Sequence, residues 1–134
     1  MAKKTINTSL DDVEIFTAKG AKIKDPKVII LPNHHFLFNA AFVHKAEIHK
    51  STHVVLGYSE QSNSIVFQFT SDTKAKGALT LINKNNSSSV GTRSFFNYYF
   101  LNVQDISGRY KPENVQIAKI GKVWVINLNN KLPE

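Results

Sequence analysis

The chain has 134 residues, 42% of them hydrophobic, with 17 Lys+Arg against 10 Asp+Glu and no cysteine. That length suits one domain able to bury roughly two-thirds of its unfolded surface without a disulfide or metal staple. Zero Cys excludes thiol nucleophiles and thiolate metal sites, and no apolar run approaches the roughly 20 residues a membrane-spanning helix needs.

Residues 1–12, opening Met1-Ala2-Lys3-Lys4, are polar, read as a loose arm, and lack a signal-peptide core. The expectation is a soluble, cytoplasmic protein with no membrane partner. Val13-Glu14-Ile15-Phe16-Thr17 alternates apolar and polar and predicts a short strand. Gly20 and Asp25-Pro26 punctuate a Lys-rich connection, after which the β-branched run Val28-Ile29-Ile30-Leu31 predicts a strand stopped by Pro32-Asn33. Phe36 to Asn39 reads as a brief strand. Asn39 is a candidate cap for a helix over 40–48, where apolar residues follow helical spacing.

His53 to Tyr58 and Ser64 to Phe69, separated by the polar Ser59-Glu60-Gln61-Ser62-Asn63, predict a hairpin. Ala78 to Asn83 alternates and predicts one strand. Lys84 to Ser89 is uncharged apart from its first residue and reads as a polar loop and an internal boundary. Phe95, Phe96, Tyr99 and Phe100 share one helical face, with Thr92 a candidate cap and Tyr98 off that face. A connection from Asn102 to Asn114 leads to a second hairpin, Val115 to Ile120 and Val123 to Leu128, turning at Gly121-Lys122.

The expected fold is therefore α+β, mainly antiparallel sheet or a small barrel with two short helices. It is a single domain whose half-units, 28–69 and 90–128, both follow the order helix then hairpin and suggest an internal pseudo-repeat.

The net charge of +7 creates a field that favours anionic partners. With 15 Lys and only Arg93 and Arg109, base reading by Arg is sparse, and phosphate contacts would carry the affinity. Arg109-Tyr110-Lys111, following Gly108, is a basic-aromatic-basic triplet expected in a loop, able to meet a phosphate and a base. All five histidines lie between positions 34 and 53. His49 and His53 have a spacing compatible with metal ligation, and His44 lies upstream, but no general-base Glu motif accompanies them. The Gly residues are too isolated for a phosphate-binding loop, and no cofactor is implied.

The stretch from Ile30-Leu31-Pro32 to Phe69 resembles the swapped-hairpin DNA-binding modules of the AbrB and MazE type. The shared features are an I-x-L-P style strand and proline, a short helix ending near Ile48, and the hairpin of Val54-Val55-Leu56 and Ile65-Val66-Phe67. About 40 of the 134 residues are covered. Lys50-Ser51-Thr52 replaces the usual Gly-Asp step, and the helix is shifted relative to the proline. The resemblance implies DNA binding by basic residues of the early strand and loop, here Lys22, Lys24 and Lys27.

The expected function is a small non-enzymatic module binding nucleic acid, DNA in preference, and serving transcription regulation. The nucleic-acid candidates are Lys22, Lys24, Lys27, Arg109, Tyr110 and Lys111, with no catalytic residue. A protein-interaction or oligomerisation module, forming a homodimer or higher oligomer, is an alternative resting on the aromatic cluster. A His-dependent metal-binding nuclease or hydrolase is another, resting on His44, His49 and His53.

Overall fold

In the computed structural model, which describes residues 11–13, 15 and 25–133, Val28–Leu31 forms strand β1 and His35–Phe38 forms β2. The two pair as an antiparallel hairpin, Val28 opposite Phe38. The turn between them closes with the His34 amide donating to the Leu31 carbonyl at 3.2 Å. Residues 1–10 of the predicted arm and most of the predicted Val13–Thr17 strand lie outside the described residues; Asp11 and Asp12 form an exposed turn, and Val13 and Ile15 are exposed without regular structure. Asn39 caps α1 (Ala40–Ala46), its side-chain oxygen accepting from the Phe42 amide at 2.9 Å. The helix stops at Glu47 (φ 53°) and continues as a single 3-10 turn, Ile48–Lys50, which keeps Ile48 in the core. Next, β3 (His53–Ser59) and β4 (Ser64–Thr70) form the expected hairpin.

Between this hairpin and Glu113 the strands depart from the sequence expectations at three places. The strand expected at Ala78 to Asn83 is two strands in different sheets. β5 (Leu79–Thr80) pairs with β3, and β6 (Ile82–Lys84) pairs with β7 (Ser87–Gly91). The chain changes sheet at Leu81, a buried residue whose amide donates to the Thr52 carbonyl at 2.9 Å. The polar loop expected at Lys84 to Ser89 shrinks to the turn Asn85-Asn86, and Ser87 to Ser89 enter β7. The β2 ladder satisfies the backbone there, Val90 packs in the core, and the buried Ser88 hydroxyl donates to the Asn83 side chain. Low strand propensity is thus overridden by partners. Third, the connection from Asn102 to Asn114 holds α3 (Val103–Ile106) and strand β8 (Gly108–Tyr110), paired with β1.

The second aromatic helix, α2, is Arg93–Tyr98, with the Thr92 hydroxyl accepting from the Phe95 amide at 3.2 Å. The final hairpin is β9 (Glu113–Ile117) and β10 (Gly121–Asn127); the turn expected at Gly121-Lys122 falls instead at Ala118 to Ile120, and Gly121 and Lys122 pair in β10 with Ile117 and Gln116.

The strands form two five-stranded antiparallel sheets, β6-β7-β2-β1-β8 and β5-β3-β4-β10-β9, so the fold is α+β as expected from the sequence. The sheets face one another through rings: Phe36 and Phe38 of β2 stand edge-on to Phe67 of β4, at 5.2 and 5.5 Å between centroids. At one end α1 adds Phe42, edge-on to Trp124 at 5.0 Å. Phe36, Phe38, Phe42, Phe67 and Phe96 have no exposed surface. Each contributes about 2–3 kcal/mol of burial, which makes this aromatic layer the main cohesive element. Exchanging the hairpin pair β1-β2/β3-β4 with β6-β7/β9-β10 maps the contiguous runs β6-β7-β2-β1 and β3-β4-β10-β9 onto themselves, reversed, leaving out the edge strands β8 and β5. The halves meet through β2 against β7 in one sheet and β4 against β10 in the other. Among the described residues, no helix is long and apolar enough to cross a membrane.

Candidate functional site

The β1–β8 register runs Val28↔Tyr110, Ile29↔Arg109, Ile30↔Gly108. Val28, Ile30 and Tyr110 are buried between the sheets. By strand alternation, Ile29 and Arg109 point to the opposite, outer face. One step beyond Val28↔Tyr110 lie Lys27 and Lys111, also of outer-face parity. Both line a groove of about 430 Å³ with Asp25, Pro26, Lys45 of α1, Pro112 and Leu132. Carrying the parity across the ladders adds His35 and Leu37 on β2, Ser87 and Ser89 on β7, and Ile82 and Lys84 on β6. None of these strand positions is Asp or Glu. From β6 to β8 the face spans four strand spacings, about 19 Å.

Lys27, Lys45 and Lys111 give the groove three cations, and Asp25 is the carboxylate among the residues lining it. The Lys27 side chain is only 15% exposed, and its ammonium lies 3.9 Å from an Asp25 carboxylate that is itself 85% exposed. Asn39 sets the edge of this groove. Besides capping α1, its side-chain oxygen accepts from the Lys27 amide at 2.9 Å, and its amide nitrogen donates to the Asp25 carbonyl at 3.0 Å. One asparagine therefore fixes the start of β1 against the start of α1, bringing Lys27 and Lys45 to one rim.

The candidates from the sequence divide accordingly. Lys27 and Lys111, 84 positions apart, are brought together with Lys45, which sequence reasoning missed, as it missed Lys84. Arg109 shares their face, but its guanidinium donates to the Pro133 carbonyl at 2.8 Å and its own carbonyl accepts from the Leu132 amide at 2.8 Å. Arg109 thus holds the C-terminal segment along the edge strand. The expectation for Tyr110 fails: it lies in strand β8, not a loop, and its ring is 1% exposed. Its hydroxyl donates to the Ile106 carbonyl at 2.6 Å. Packing between the sheets claims this ring, so it is not available to a base. Burial also raises the Tyr110 pKa above the ordinary tyrosine value. Lys22 and Lys24 lie outside the described residues.

The histidines do not converge. His44 is exposed on α1, His49 Nε2 lies 3.3 Å from the Ser87 carbonyl, and His53 Nδ1 lies 2.7 Å from the Thr52 hydroxyl. Among the described residues, no three His, Asp or Glu side chains are grouped to hold a metal ion.

The aromatic run divides between two environments. Phe95 and Phe96 pack in the core, whereas Tyr98 is 75% exposed. Phe100, expected on the buried face of the helix, is 93% exposed because α2 ends at Tyr98. No family model, no curated protein and no solved structure matches the chain.

Proposed function

We propose that this protein is a non-enzymatic nucleic-acid-binding module that holds phosphate groups on the outer face of the β6-β7-β2-β1-β8 sheet. The observation that carries the reading is the convergence of Lys27, Lys45 and Lys111 on one groove, continued by Lys84 across strand positions free of carboxylates. Lysines are compact point charges suited to a backbone and carry no base-reading fork, so affinity rather than sequence choice is what they supply. The resemblance of residues 30–69 to AbrB-type modules supports the same reading, and with it a regulatory use on double-stranded DNA.

Binding of labelled double- and single-stranded DNA tests this. With four phosphate contacts, raising salt from about 50 to about 200 mM weakens duplex binding by about 100-fold. The double substitution Lys45→Ala, Lys111→Ala lowers the salt slope by about two units on a logarithmic plot. Absence of binding at the lower salt, or a slope indifferent to both substitutions, overturns the proposal.

A further inference from the structure

At the far end of α2 the chain makes a helix stop that ordinarily calls for glycine. The Leu101 amide donates to the Phe96 carbonyl at 2.8 Å and the Phe100 amide to the Asn97 carbonyl at 3.2 Å, the paired bonds of a Schellman motif. Phe100 occupies its left-handed position (φ 56°), where a β-carbon is strained and glycine is usual. A large apolar ring there, 93% exposed, is unfavourable both for the backbone and for hydration. Folding alone gives no reason for it.

Phe100 borders a recess of about 390 Å³ lined by Tyr58, Glu60, Tyr98 and Tyr99. The Tyr98 and Tyr99 rings stand nearly perpendicular (85°) at 4.9 Å, and Tyr58 tilts against Tyr99 at 5.1 Å. The Tyr58 hydroxyl donates to the Asn63 side chain at 2.7 Å, which fixes that ring. The charged group of the lining is the exposed Glu60 carboxylate. Ring faces carry negative potential, so four rings and a carboxylate make an environment complementary to a cation and hostile to phosphate. A guanidinium suits it better than an ammonium: it is planar, stacks on aromatic faces and pairs with a carboxylate through two N–H groups.

We propose that this recess docks an arginine side chain presented by a partner protein, at a surface distinct from the lysine groove. The full-length chain, titrated with N-acetyl-arginine methylamide, with its neutral isostere N-acetyl-citrulline methylamide and with AMP, is followed by NMR of the tyrosine and phenylalanine rings. The arginine probe produces saturable shifts confined to Tyr58, Tyr98, Tyr99 and Phe100, with a Kd in the millimolar range for so small a probe, and citrulline binds about tenfold more weakly. Glu60→Gln and Phe100→Gly each weaken the arginine complex about fivefold to tenfold. Because glycine suits the backbone at position 100, that variant folds and its loss of binding reports the ring. Equal binding of citrulline, tighter binding of AMP, or no saturable shift by about 50 mM arginine probe overturns the proposal. So do ring shifts that grow with protein concentration alone, which assign the recess to a second copy of the chain.

Discussion

Replacing Asn39 by alanine removes three hydrogen bonds in one step: the cap to the Phe42 amide, the bond from the Lys27 amide, and the donation to the Asp25 carbonyl. Loss of the cap costs about 1 kcal/mol. The Lys27 amide is part-buried, and leaving it without an acceptor costs about another 1 kcal/mol. The Asp25 carbonyl is exposed and regains water at little cost. The expected loss is about 2 kcal/mol, or about 7 °C in Tm for a domain of this size. Urea unfolding followed by Trp124 fluorescence is the assay, since that ring touches Phe42 in the helix that Asn39 caps. Asn39→Asp keeps the acceptor oxygens and loses only the donor, so it costs less than half as much. If the lysine groove holds phosphate as proposed, DNA affinity also falls in Asn39→Ala, although no cation is removed, because the backbone beside Lys27 loosens. A loss under about 0.5 kcal/mol, or an Asp variant as damaged as the Ala variant, refutes the assignment of these bonds as the joint between β1 and α1.

Other substitutions test other parts of the argument. Phe100→Gly raises stability by about 0.5 kcal/mol, as relief of left-handed strain outweighs glycine's extra unfolded-state entropy and the little apolar area lost; a marked destabilisation shows instead that the ring packs. Tyr110→Phe costs about 1 kcal/mol by orphaning the Ile106 carbonyl, read by chemical denaturation. Because burial raises the Tyr110 pKa in the folded state, its contribution is complete below the ordinary tyrosine pKa and is lost as pH rises through the folded value. An alkaline unfolding step visible in tyrosinate absorbance therefore moves in Tyr110→Phe. Glu47 is held below the ordinary carboxylate range by its hydrogen bond from Lys50, whose own pKa is raised by the same contact. A lowered carboxylate pKa stabilises above the unfolded pKa and ceases to as pH falls through the folded one. NMR titration shows Glu47 moving back toward the usual value in Lys50→Ala and, since both groups are exposed, in high salt.

Elements carried by local chemistry were legible. Asn39 and Thr92 cap the helices expected from them, and the loop between β3 and β4 sits where polar residues interrupt two β-branched runs. What failed had a non-local cause. Ser87 to Ser89 are a strand only because β2 and β6 offer ladders on both sides, and Tyr110 is core only because β8 pairs with β1, some eighty residues earlier. Phe100 was misjudged for a different reason. Helical spacing extends a face beyond the point where the helix stops, and no glycine marked that stop.

From the sequence alone follow an α+β chain of antiparallel strands with short capped helices, an excess of positive charge, and the absence of any thiol chemistry. These depend on residue type, two- and 3.6-residue periodicity and side chains that bond their own neighbours, all encoded within a few positions. Which cations share a groove, which ring is buried and which is bare depend on register between distant strands. Lys27, Lys45 and Lys111 meet, and Tyr110 turns inward, because of how β1 docks on β8 and α1. A slip of β8 by one residue against β1 would send Lys111 to the core face and Tyr110 to solvent, a choice made by the packing of both sheets together.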